Sequence, residues 1–113
     1  MKYAILLFDN PENWADVTDE RMQSMRAQYM AVTEAPESYA GAQLQPQETA
    51  KTLRMRDGEV LVTDGPFAET KEVISGFYLV DADTEARALE LAQQIPTLSQ
   101  MGGVIEVRPI VER

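Results

Sequence analysis

Two stretches of this chain are apolar on both sides, and they limit the folds open to it. Tyr3-Ala4-Ile5-Leu6-Leu7-Phe8 is a continuous apolar run of strand length. Side chains alternate across a strand, so Tyr3, Ile5 and Leu7 point one way and Ala4, Leu6 and Phe8 the other. Val73 to Val80 repeats the pattern, with Val73, Phe77 and Leu79 set against Ile74, Tyr78 and Val80. Strands of this kind need cover on both faces. Gly76, inside the second run, predicts a bulge or a close backbone approach.

The chain offers two helices as cover. Asp16 to Thr33 reads as one, with Met22, Met25, Tyr29 and Val32 at helical spacing on one face. Asp16 or Thr18 can cap it, and Asp19 and Glu20 suit the positive end of its dipole. Its methionines read as core packing, with an adaptable binding surface as the alternative. The second helix runs from about Glu85 to Ile95, capped by Asp83 or Thr84 and ended by Pro96.

The remaining segments read as strands. Residues 38–45 form a weak one, interrupted by Gly41 and stopped by Pro46. Thr49 to Arg56 and Glu59 to Thr63 flank Asp57-Gly58, a strong hairpin signal. A two-residue turn there puts Arg56 opposite Glu59, Met55 opposite Val60 and Leu53 opposite Val62. In the last strand, Val104 to Val111, Glu106 and Arg108 share one face, and Ile105, Val107 and Val111 the other. Pro109 cannot donate to a ladder, so that end lies at an edge or past the pairing.

With the hairpin set aside, the order is βαββαβ, a ferredoxin-like α+β core. Two helices shelter one face of its sheet. The other face predicts a second copy laid sheet against sheet, hence a homodimer. The pattern leaves open whether the hairpin extends its own sheet or reaches the other subunit.

At 113 residues, 1–113 is expected to be a single domain. A net charge of −9 with scattered basic residues argues against nucleic acid. The absence of cysteine and histidine removes disulfides, zinc thiolates, iron–sulfur clusters and the usual neutral-pH base. No cofactor and no metal are expected. The run at residues 3–8 is too short to span a bilayer and lacks a signal peptide's cleavage region, so a cytoplasmic protein with no membrane partner is expected.

The densest local chemistry lies in Thr63-Asp64-Gly65-Pro66-Phe67-Ala68-Glu69-Thr70-Lys71-Glu72. Asp64 can brace the Gly-Pro turn through its own downstream backbone, or contact a ligand. Glu69 and Lys71 are solvated loop charges, or members of a site with Asp64. Two carboxylates in unlike surroundings can divide into acid and base, and Lys71 can neutralise an anion. Phe67 reads as a plug in an apolar pocket, with a ligand wall as the alternative. Glu106 and Arg108 hold register as a pair, or line a polar cavity between subunits. Trp14, after Asn10-Pro11, closes over a cavity or caps the entry to the first helix.

Asp64-Gly65-Pro66-Phe67 with Ala68-Glu69-Thr70-Lys71-Glu72 resembles the signature of the YCII-related proteins of the DGPF-domain type. The resemblance extends to Arg56-Asp57-Gly58-Glu59-Val60-Leu61-Val62-Thr63, to Gly76-Phe77-Tyr78-Leu79-Val80 and to Ile105-Glu106-Val107-Arg108-Pro109. It implies a dimeric α+β barrel and no generally established reaction. Members are often encoded near extracytoplasmic-function sigma factors, which implies an accessory role in bacterial regulation. Related YCII proteins carry a His–Asp pair thought to be catalytic. This chain has no His, so only the acidic half has a counterpart, at Asp64. Glu34-Ala35-Pro36-Glu37-Ser38 departs from the family's Gly-rich segment. Two functions follow as expectations. One is binding or transforming a small molecule at a pocket between sheet and helices bordered by residues 63–72. The other is a non-catalytic module that meets a protein partner of a sigma-factor system.

Overall fold

The computed structural model describes Met1–Arg113. Strand β1 spans Lys2–Asp9, helix α1 Asp19–Thr33 and strand β2 Ser38–Gln43. The hairpin strands are β3, Lys51–Arg56, and β4, Glu59–Asp64. Strand β5, Val73–Asp81, is followed by α2, Glu85–Gln93, the short α3, Pro96–Ser99, and β6, Val104–Pro109. The fold is mixed α+β. Its main sheet has the order β2-β5-β1-β6 with antiparallel neighbours, and β3-β4 form a separate two-stranded sheet. No helix is long and apolar enough to cross a membrane.

The helices start where their caps dictate. The Thr18 hydroxyl accepts the Arg21 amide at 3.2 Å, so α1 begins at Asp19 rather than Asp16. Thr84 does the same for α2, accepting from the Arg87 amide at 3.1 Å. Pro96 does not end α2, which stops at Gln93; it opens α3, where its missing N–H costs nothing. The Arg87 guanidinium reaches both oxygens of Glu37, at 2.6 and 3.4 Å, and ties α2 to the segment before β2.

Both longer helices pack on one face of the sheet. Val32 of α1 and Ala88, Leu91 and Ala92 of α2 share a core with Tyr3, Ile5, Leu7, Tyr78 and Val80. On the other face Ala4, Leu6 and Phe8 are only half-buried. Their cross-strand neighbours are Leu79, Phe77 and Ile74 on β5, and Arg108, Glu106 and Val104 on β6. This side of the sheet carries no helix, so its apolar residues lack in the single chain the cover that two-faced strands call for. Val111, expected to share a strand face with Ile105 and Val107, lies past the end of β6 and is 76% exposed.

Strand β5 departs from simple alternation. Leu7 pairs with Gly76 but Phe8 pairs with Ile74, so Ser75 is an extra residue. The bulge places Ile74 with Phe8 on the open face and leaves Val73 opposite Asp9. These two residues therefore exchange the faces that strict alternation assigns them. Gly76 is also a close approach: a Cβ there would lie 2.7 Å from the Ala42 carbonyl oxygen.

The hairpin has the register its sequence requires, with Arg56 opposite Glu59, Met55 opposite Val60 and Leu53 opposite Val62. Asp57 and Gly58 both have positive φ, 52° and 80°, the turn whose twist matches paired strands. The hairpin does not extend the main sheet. It stands away from it, with Leu53, Met55, Val60 and Val62 each at least 56% exposed.

Candidate functional site

The inward series on β1 runs Tyr3, Ile5, Leu7 and then Asp9, which is 7% exposed. Three neutral groups meet its carboxylate. Trp14 Nε1 donates to Oδ1 at 3.0 Å. Thr97 Oγ1 donates to Oδ2 at 3.3 Å, and Ser75 Oγ binds the same oxygen. Each partner arrives by a local device. Asn10 caps a 3-10 turn at Pro11–Trp14, its side chain accepting the Glu12 amide at 3.0 Å, and that turn delivers Trp14. The β5 bulge delivers Ser75, and α3 delivers Thr97.

The cluster continues into α1. The Tyr29 and Thr97 hydroxyls lie 2.7 Å apart, and the Tyr78 hydroxyl donates to the Tyr29 carbonyl at 3.0 Å. Burial, helped by the Asp9 charge, pushes the Tyr29 phenol up to about 12. Burial also raises Tyr78. Both phenols therefore keep their protons at neutral pH.

Asp9, Trp14 and Tyr29 lie on the wall of a cavity of about 970 Å³ between α1 and the β2–β5 side of the sheet. Met22 and Met25 of α1 and the backbone at Gly41 and Gly76 form other parts of the wall. The volume is that of a small-molecule site. Within the methionine stripe Met25 is buried, as core packing requires, and Met22 and Met25 both line the cavity. A shallower depression of about 330 Å³ adjoins it, sharing Pro11 and Gln47, and is bordered by Glu69, Thr70 and Lys71.

The model of the YCII-related domain matches residues 1–113. The chain belongs to the YCII-related family. An uncharacterised protein of Rhizobium meliloti (strain 1021) is 39% identical over 114 residues, covering 97% of this chain and 92% of that protein.

In this YCII-related protein Asp64, Phe67, Glu69, Lys71, Glu106 and Arg108 do not line the larger cavity. Asp64 does not brace its turn through the downstream backbone. Its side chain, 85% exposed, forms an ion pair with Lys51 across the hairpin. The turn is held instead by Gly65, at φ 91°, whose amide donates to the Ala50 carbonyl at 2.7 Å. Thr52 Oγ1 donates to the Gly65 carbonyl at 2.7 Å. Phe67 is no plug in this chain. It is 77% exposed, because the loop that carries it follows the projecting hairpin instead of lying on the core. Glu69 and Lys71 meet at the depression without an ion pair between them, and Asp64 is not part of it. Glu106 and Arg108 lie on the open sheet face, with Arg108 Nε 2.9 Å from Glu106 Oε1. Trp14, by contrast, lines the larger cavity.

Asp9 is the residue that sequence reasoning missed. With Asn10-Pro11 it reads as a turn that ends the strand. Its position two residues beyond Leu7 carried the signal, since period-two alternation points it inward.

Proposed function

We propose that this protein, a YCII-related chain of the DGPF type, is a single-domain cytoplasmic homodimer that binds a small molecule in the cavity between α1 and β2–β5. The observation that carries the ligand reading is the polar cluster of Asp9, Trp14, Ser75 and Tyr29 in the wall of a largely apolar cavity, with the fully buried Thr97 bonded to Asp9 and Tyr29. A few convergent polar groups in an apolar recess are what fixes a ligand's orientation. Glu69 and Lys71, at the adjoining depression, are placed to meet a polar end that protrudes. Any chemistry on the ligand is carboxylate acid–base work, given a chain without His or Cys.

The dimer has its own support. The strand order β2-β5-β1-β6 with both longer helices on one face fits a ferredoxin-like βαββαβ core carrying an inserted hairpin. Two such sheets face to face make a dimeric α+β barrel. The chain exposes 8003 Å², whereas a folded monomer of 12.7 kDa exposes about 6,200 Å². Its radius of gyration is 16.0 Å, against about 13 Å for a compact chain of this length. The surplus of about 1,800 Å² per chain lies within what obligate homodimers bury. In that assembly Glu106 and Arg108 lie between the sheets, where they hold register or line a polar chamber. Phe67 and the hairpin are placed to meet the neighbouring subunit.

A regulatory module that meets a sigma-factor partner draws on the same exposed hairpin. Sedimentation of the full chain separates the two. If the hairpin is covered within a homodimer, little apolar surface remains for a third party. The ligand reading is tested by a thermal-shift screen of metabolites, because a compound selective for the native state raises its apparent stability. A cavity that no compound stabilises counts against it.

A further inference from the structure

We propose that the cavity takes a small organic cation, an amine or guanidine head on an apolar or aromatic body, with the head against Asp9. This rests on the ligand-binding reading above and adds the charge of the occupant.

A carboxylate buried this deeply is normally paired with a cation. Asp9 has none: its partners are an indole and two hydroxyls, and no Lys or Arg forms an ion pair with it. An indole N–H can only donate, so Oδ1 is held as an acceptor. Three bonds leave one of the carboxylate's roughly four lone-pair directions free, and Asp9 lines the cavity. The missing counter-charge is what a cationic ligand brings. The walls suit the rest of such a molecule. Trp14 and Tyr29 line the cavity, aromatic rings attract cations, and Met22 and Met25 adapt to an apolar body. A net charge of −9 draws cations toward the molecule from a distance.

Arg26 is the one cationic side chain on the cavity wall, and it invites the opposite reading, an anionic ligand. It is solvent-exposed on α1, where its charge is screened, whereas the Asp9 charge sits in the interior. Field strength inside the cavity therefore belongs to Asp9.

The test uses three probes of like shape: 3-phenylpropylamine, 3-phenylpropanol and 3-phenylpropionate, each titrated into the ¹⁵N-labelled full chain at neutral pH. Trp14 is the only tryptophan, so its indole N–H gives one resonance, and that proton is bonded to Asp9. The amine is expected to move this resonance and to bind at least tenfold tighter than the alcohol, with the propionate weakest. Asp9→Asn is expected to weaken the amine tenfold or more and the alcohol less than threefold. If that variant does not fold, the wild-type ranking of the three probes decides. Alcohol or propionate binding as tightly as the amine overturns the cation assignment and leaves the cavity as a binding site. If no probe shifts the Trp14 resonance at millimolar concentration, the binding reading itself is overturned.

Discussion

Leu6→Glu tests the proposed assembly directly. Leu6 lies on an inner strand, on the face without helices, between Phe77 and Glu106. It is half-buried in the single chain, so a carboxylate there can reach water and the fold survives. In a sheet-to-sheet dimer the same side chain is covered twice, once in each copy. Full burial of a leucine is worth about 1.5–3 kcal/mol, and the lower figure suits a residue already half covered. Two copies then lose about 3 kcal/mol of association, or about two decades in Kd. Desolvating a carboxylate beside Glu106 adds to that loss. Sedimentation equilibrium over a range of concentrations measures the Kd, and far-UV circular dichroism shows that the variant is folded. Val62→Glu on the hairpin is a companion: at 56% exposure Val62 has little to lose within its own chain, so a weaker dimer reports contact with the neighbour. A wild-type chain that sediments as a monomer at high concentration, or a Leu6→Glu variant that pairs like the parent, refutes the reasoning.

Gly76→Ala is expected to destabilise by about 1–3 kcal/mol in urea unfolding, because its Cβ would press on the Ala42 carbonyl and push β2 from β5. Gly58→Ala, in open space at φ 80°, is expected to cost about 1 kcal/mol from backbone strain alone. Tyr29 keeps its proton up to about pH 12 while tyrosines of the unfolded chain ionise near 10. Its contribution to stability is present below pH ~10 and lost as pH rises toward ~12. A tyrosinate absorbance titration should show late ionisation that Tyr29→Phe diminishes, leaving that of Tyr78. Hydrogen bonds from Arg87 hold Glu37 below the usual carboxylate range. That contribution is present above the unfolded pKa and fades as pH falls through the lower folded value. Glu37→Gln should therefore flatten the acid limb of a stability-versus-pH curve.

Where the sequence determined geometry locally, it could be read. Asp57-Gly58 set the hairpin turn and with it every cross-strand pair, and the two-faced runs announced a sheet covered on one side only. The caps at Thr18 and Thr84 were readable because capping involves residues three apart. The site was harder. Asp9 gains its partners from Ser75 and Thr97, 66 and 88 residues away, through a bulge and a short helix that no local pattern specifies. The turn from Asp64 to Phe67, charged and aromatic, has the composition of a site. Local sequence does not say whether such a turn lies on the core or stands off it, and here it stands off.

The central place of β1 has a consequence for synthesis. Its two neighbours, β5 and β6, come from the second half of the chain, so Lys2 meets Asp81 and Tyr3 meets Pro109. At about 5–20 residues per second, a ribosome takes several seconds to deliver the first of them. Through that interval a strand greasy on both sides lacks both of its native neighbours, and the only cover its own chain has yet made is the first helix.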